Sequence, residues 1–138
     1  MTRRRILLAA AVPLLRLQAA GVPGISIRGK LTRSADDKPA LEVNHKLIAL
    51  AGDEDTMLVL NDKRLAGADF EAIGHFTSPD HFEIDGIYAR AMYVHKDGQR
   101  LLITYWCDVC SIRTYAPGNC VCCQKYTDLD LREHDDDQ

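Results

Sequence analysis

From Ile25 the chain alternates apolar and polar side chains, Ile25-Ser26-Ile27-Arg28-Gly29-Lys30-Leu31. That period of two puts one face of a strand in a core and the other in water. Asp36-Asp37-Lys38-Pro39 interrupts it with turn formers, and two short strands, 40–43 and 46–50, are expected on either side of Asn44-His45. The period then changes. Asp55 or Thr56 is placed to cap a helix running through Leu65, with Met57, Leu58, Leu60, Leu65 and Val59 as its apolar face and Gly67 as its stop. Strand patterns return over 70–76 and 82–87, on either side of Ser78-Pro79-Asp80. A hairpin of 88–95 and 99–106 is expected about Lys96-Asp97-Gly98, because Asp-Gly readily takes the positive φ angles of a tight turn.

Three strands, a helix and further strands is the order of an OB-fold. Leu65-Ala66-Gly67 followed by Phe70-Glu71-Ala72-Ile73-Gly74 resembles the corner between the helix and the fourth strand of that fold, a likeness that covers residues 24–95. The fold class expected is therefore mainly β, a small OB-like barrel with one helix and a C-terminal four-cysteine zinc-ribbon-like knuckle. Barrels of this kind often bind oligonucleotides or sugars, but fold alone does not establish function. The formal net charge of −3 becomes −7 once Arg3, Arg4, Arg5 and Arg16 are set aside, and no basic stripe remains to meet phosphates. Nucleic acid is excluded as a partner on that ground, which leaves a scaffold or an interaction module.

Those four arginines belong to a segment of its own. Arg3, Arg4 and Arg5 precede an apolar stretch, 6–15, that is too short to span a bilayer as a helix, and the small residues Ala19, Ala20 and Gly21 follow. This is the layout of a secretory signal peptide, although an amphipathic N-terminal helix that stays with the protein would share its composition. Thr2-Arg3-Arg4-Arg5-Ile6-Leu7 also resembles the twin-arginine export signal. That route carries folded proteins, so a metal site could be loaded in the reducing cytoplasm before meeting an oxidising periplasm. The expected organisation is an export signal over 1–21, the barrel over 22–104, a cysteine knuckle over 105–126 and a solvated acidic tail over 127–138 that includes Asp135-Asp136-Asp137. The expected location is periplasmic or secreted.

All five cysteines lie between positions 107 and 123, and Cys107, Cys110, Cys120 and Cys123 form the pattern Cys-x2-Cys-x9-Cys-x2-Cys. Each Cys-x-x-Cys makes a tight turn that presents two sulfurs to one point, and the Pro117-Gly118 turn can fold the second onto the first. Four thiolates at about 2.3 Å would complete a closed tetrahedral zinc shell. Such a centre is doubly negative, and Arg113 and Lys125 are placed to offset that charge. Cys122 stands outside the pattern as a substitute ligand, a soft-metal contact or, most simply, a buried small residue. Two other readings stay open. A disulfide framework suits an exported protein, though an odd thiol is left over and adjacent Cys122-Cys123 could bond only through a strained ring. A redox Cys-x-x-Cys lacks its usual βαβ setting. Covalent haem is rejected, because Ser111 and Gln124 stand where Cys-x-x-Cys-His needs histidine.

Tyr105-Trp106-Cys107-Asp108-Val109-Cys110 and Pro117-Gly118-Asn119-Cys120-Val121-Cys122-Cys123 resemble the short heavy-metal-binding domain of bacterial metal-transport proteins. In that pattern Tyr-x-Cys-Pro-x-Cys/His is followed by Pro-Gly-x-Cys-Pro-x-Cys-Gly-Met. Asp108 and Val121 replace its prolines, and Gln124-Lys125 replaces Gly-Met. Loss of the methionine weakens a copper or silver reading, since thioethers favour Cu(I), and leaves zinc ahead. The wider chain is similar to uncharacterised exported bacterial proteins that end in Cys-x-x-Cys, Cys-x-Cys-Cys-Gln and Leu-Asp-Leu-Arg. His45, His75, His81 and His95 show no ligand spacing, and His81 beside Asp80 is a common turn pair. With no phosphate loop, nucleophile elbow or paired-carboxylate motif, the chain reads as a metal-binding protein rather than an enzyme.

Overall fold

The computed structural model describes residues 24–86 and 90–133; the export signal expected over 1–21 and the end of the expected tail, 134–138, lie outside them. β1 (Ile25–Arg33), β2 (Pro39–Val43) and β3 (Lys46–Ala51) form a meander. A short helix, α1 (Glu54–Leu60), and one 3-10 turn (Lys63–Leu65) lead on to β4 (Asp69–Ser78) and β5 (His81–Ile84). β1–β2 and β2–β3 pair antiparallel, β3–β5 parallel, and β5–β4 and β4–β1 antiparallel, which closes a five-stranded barrel in the OB-like order. The expected fold class is what the structure has.

Two glycines make the closure possible. β1 pairs with β4 from Ile25 to Lys30 and with β2 from Lys30 onward, while β4 passes to β5 at Gly74. A Cβ on Gly29 would strike the carbonyl of Glu42, and one on Gly74 the carbonyl of Glu83. Strands that change partners at a barrel corner bring backbones this close, and only glycine leaves room. Leu31, Leu41, Ile48, Leu50, Phe70 and Phe82 fill the interior, which Val59, Leu60 and Leu65 close from the helical side.

The helix differs from its sequence expectation. It starts earlier because Asp53 caps it, accepting from the Thr56 N–H at 2.8 Å. It ends at Leu60 because the Asn61 side chain donates to the Met57 carbonyl at 2.9 Å and Asp62 then caps a separate 3-10 turn. Val59 is in the core and Leu58 is exposed, so the apolar face is rotated from the one expected. The two tight hairpins are as the pattern implied. Asn44 (φ 50°) with His45 (φ 65°), and Asp97 (φ 53°) with Gly98 (φ 75°), both form two-residue loops with positive angles throughout.

Beyond the barrel, β6 (Met92–Lys96) pairs with β4 and starts a sheet extension whose central strand is β7 (Gln99–Cys107). One edge of β7 carries β6 and then β8 (Ile112–Thr114), and the other carries β9 (Asp128–Glu133). β7 runs without a break through 104 and 105, so the ribbon grows directly out of the barrel's sheet. Asp128–Glu133, expected to be solvated tail, is instead a strand. Its alternation sets Leu129 and Leu131 against the core, and the Thr104 hydroxyl donates to the Asp130 carbonyl. Among the described residues no helix is long and apolar enough to cross a membrane. Replacing Gly74 with alanine should force the Glu83 backbone away and cost about 1–3 kcal/mol by denaturant unfolding, whereas Gly98→Ala, with open space around it, should act only through its backbone angle.

Candidate metal centre

β7 delivers Cys107 at its last residue, and the turn to β8 carries Cys110. The second knuckle is closed by a bridge between Asn119 and Tyr126 and by Cys120 N–H donating to the Lys125 carbonyl at 2.7 Å. Below it, Thr127 donates from both N–H and hydroxyl to the Gly118 carbonyl. The residue after each Cys-x-x-Cys takes a left-handed conformation, Ser111 at φ 53° and Gln124 at φ 64°. The two knuckles therefore share one backbone form, and position 124 has the geometry that glycine meets most easily.

The four sulfurs of Cys107, Cys110, Cys120 and Cys123 lie within 4.8 Å of one another, with Cys107 and Cys123 at 3.5 Å. Four ligands at about 2.3 Å in a tetrahedron stand about 3.8 Å apart, so the spacing suits a single thiophilic ion. All five cysteines are free thiols, and no disulfide framework is present. Cys107 and Cys120 are each 2% exposed, whereas Cys110 and Cys123 are half-buried. Cys122, expected most simply to be a buried small residue, is exposed.

Backbone amides favour a thiolate at the first cysteine of each pair. N–H groups of Cys123 and Cys122 aim at the Cys120 sulfur and lower its pKa to about 7. Those of Cys110 and Val109 do the same for Cys107, yet burial and the sulfurs of Cys123 and Cys120 leave it above its ordinary value. Cys110 is also pushed up, first by its hydrogen bond with Cys122, then by burial and by Cys123 and Cys120. Four thiols this close resist ionising together without a cation.

The charge offset expected of Arg113 is not made. Its guanidinium is taken up by Asp130 at 2.8 Å and the Thr104 hydroxyl, and it stacks on Trp106. Lys125 is nearer the site: it pairs with Asp108 at 2.6 Å, and Cys107 is among the groups that raise its pKa. Asp108 and Lys125, two departures from the heavy-metal-binding pattern, thus meet across the two knuckles. Being exposed, that ion pair contributes little to stability.

One arginine ties the site to the barrel. Arg64 hydrogen-bonds Asp62, donates to the Thr127 carbonyl at 3.0 Å, and lies 5.3 Å from the ring centres of both Tyr105 and Tyr126. The fully buried Tyr105 donates to Asp62 at 2.9 Å, and burial first, then Asp62, raises its pKa. Residues just before the first knuckle and just after the second are held by the same side chain. Sequence reading missed this clamp, since its parts are far apart in the chain.

It also missed Glu71, which accepts from Arg100 through both oxygens, from Ser26 at 2.7 Å, and faces His95 Nε2 at 2.7 Å. Cross-strand register, with β1 on one side of β4 and β6 on the other, brings its partners in. Among the other histidines, His75 faces Asp85 at 3.3 Å. Ser78, Asp80 and His81 contact one another in an exposed turn. Both contacts of His81 go to the same ring nitrogen, Nδ1, whereas a nucleophile–base relay needs the two nitrogens separately.

No protein-family model matches the chain, nor does any curated protein or solved structure. Fold and site together define a class: an OB-like β-barrel from which a ribbon grows whose four cysteines can hold a metal ion.

The Glu71 network gives a pH signature. Burial would raise this carboxyl, but hydrogen bonds from Arg100, Ser26 and His95 outweigh it and bring the pKa from 4.5 to about 2. The unfolded chain therefore takes up this proton first as pH falls, so the stabilisation is complete above about pH 4.5 and is lost towards about pH 2. Urea midpoints of the native chain should fall more steeply across that window than those of Glu71→Gln.

Proposed function

We propose that this chain is an exported metal-binding protein whose Cys107, Cys110, Cys120 and Cys123 hold one thiophilic divalent ion, zinc before others. The observation that carries the reading is the convergence of four sulfurs within 4.8 Å from two knuckles of the same backbone form. Amides directed at Cys107 and Cys120 favour the thiolate form such an ion needs. The all-sulfur donor set suits zinc, and Gln124-Lys125 in place of Gly-Met speaks against a copper specialist. The arginines and apolar stretch of the first 21 residues support export, by the twin-arginine route. With the heavy-metal-binding likeness, they support a place in periplasmic metal handling.

A bound ion would also order the ribbon, where Val109, Tyr115, Val121 and Tyr126 are exposed and form no core of their own. Structural zinc in small peptides is worth roughly 10–16 kcal/mol at neutral pH. The redox alternative calls for an exposed thiol of lowered pKa, but the lowered thiol here, Cys120, is buried.

Native mass spectrometry of protein purified without oxygen tests the proposal. One metal ion per chain is expected, with a thiol-blocking reagent modifying Cys122 alone while the ion is held. Chelation should then expose the remaining thiols and remove hydrogen-exchange protection from 105–133 while the barrel strands keep theirs. Two disulfides and no metal would refute the reading.

A further inference from the structure

β9 is the outermost strand of the sheet extension, and among the described residues it pairs with β7 alone. Its register runs from Glu133 opposite Leu101 to Asp128 opposite Trp106 without a bulge, and it holds no proline and no lysine. Edge strands are commonly blunted by such features, because the backbone groups that face away from the neighbouring strand are open to another chain. Leu129 and Leu131 lie against the core yet are only partly buried. Asp130 and Arg132, on the opposite face, are 3.2 Å apart, and Asp130 is fixed from behind by Arg113 at 2.8 Å. Arg132 keeps 59% of its side chain exposed. Charges can also guard an edge, but those of β9 complement one another.

We propose that β9 is where a second copy of this chain adds to the sheet, edge to edge and antiparallel, with Leu131 on the two-fold axis. In that register Asp130 of each copy stands opposite Arg132 of the other, so two opposite-charge pairs form on one face while Leu131 meets its counterpart on the other. Other registers are worse. An axis at Asp130 sets aspartate against aspartate, and one at Arg132 sets arginine against arginine. A slip of a single residue turns the leucines to the charged face. Parallel pairing in line stacks every charge on its own kind. The pattern Asp-Leu-Asp-Leu-Arg-Glu therefore selects one arrangement, and it is the closed, isologous kind that a two-fold dimer needs. The overlap, 129–133, is shorter than the roughly 800 Å² per partner of a stable interface requires, so the association is weak and reversible. This goes beyond the metal-binding reading by giving the ribbon a partner, and it uses no sulfur.

Hydrogen exchange of the full chain, followed as its concentration rises from about 10 μM to about 1 mM, reads this edge residue by residue. Protection should grow with concentration across 129–133 and stay constant in β1 to β5. Arg132→Glu sets a carboxylate against Asp130 in both pairs and should raise the concentration of half-protection about tenfold, whereas Arg132→Lys should stay within about twofold of the native chain. An equimolar mixture of Arg132→Glu with Asp130→Lys should associate as the native chain does although neither variant does so alone, because both opposite-charge pairs re-form between unlike copies. Asp130 also holds Arg113, so if Asp130→Lys fails to fold, the two Arg132 variants decide by themselves. Exchange at 129–133 that ignores concentration in the native chain, or native association by Arg132→Glu, would overturn the proposal and leave the metal-binding reading standing.

Discussion

Four sulfur atoms held within 4.8 Å of one another cannot all be charged unless a cation sits among them, and the C-terminal third of the chain is organised around that constraint. Two turns of equal form bring the sulfurs in, backbone amides favour the thiolates, and the nearest lysine is fixed by an aspartate from the opposite knuckle. None of these devices contributes much alone. Together they shape a place that could hold a metal ion.

The barrel's part is to fix where the knuckles stand. β7 belongs to both, running from the sheet extension to Cys107, and β9 returns from the second knuckle along its other edge. Arg64 then locks the junction, with Tyr105 on one side, Tyr126 and Thr127 on the other, and Asp62 beneath. An open cleft of about 660 Å³ between Leu58, Lys63, Pro117 and Tyr126 borders this clamp. The ordering of the ribbon and the integrity of the barrel are thus linked through the shared strand β7, the Leu129 and Leu131 side chains on the core, and this clamp.

Much of this was legible in the sequence, for definite reasons. Strand alternation, Asp97-Gly98 and the paired Cys-x-x-Cys are local signals, and the barrel and the four candidate ligands followed from them. The helix limits were misjudged because Asn61 and Asp62 turn their side chains back on the backbone, ending a pattern that apolar spacing would have carried to Leu65. β9 was hidden by its charges: Asp128-Leu129-Asp130-Leu131 reads as a tail until β7 offers an edge and the core a surface for the two leucines. Arg113 was placed near the sulfurs by its position in the chain, but a β-strand register hands it to Asp130 instead. Glu71 and Arg64 gather partners from three or more elements, and no local pattern announces that.

X-ray absorption fine structure at the zinc edge, on protein loaded with one equivalent, tests the central claim most directly. Four sulfur scatterers at about 2.3 Å and no nitrogen or oxygen neighbour is the expected result. A shell with two sulfurs or fewer would contradict it.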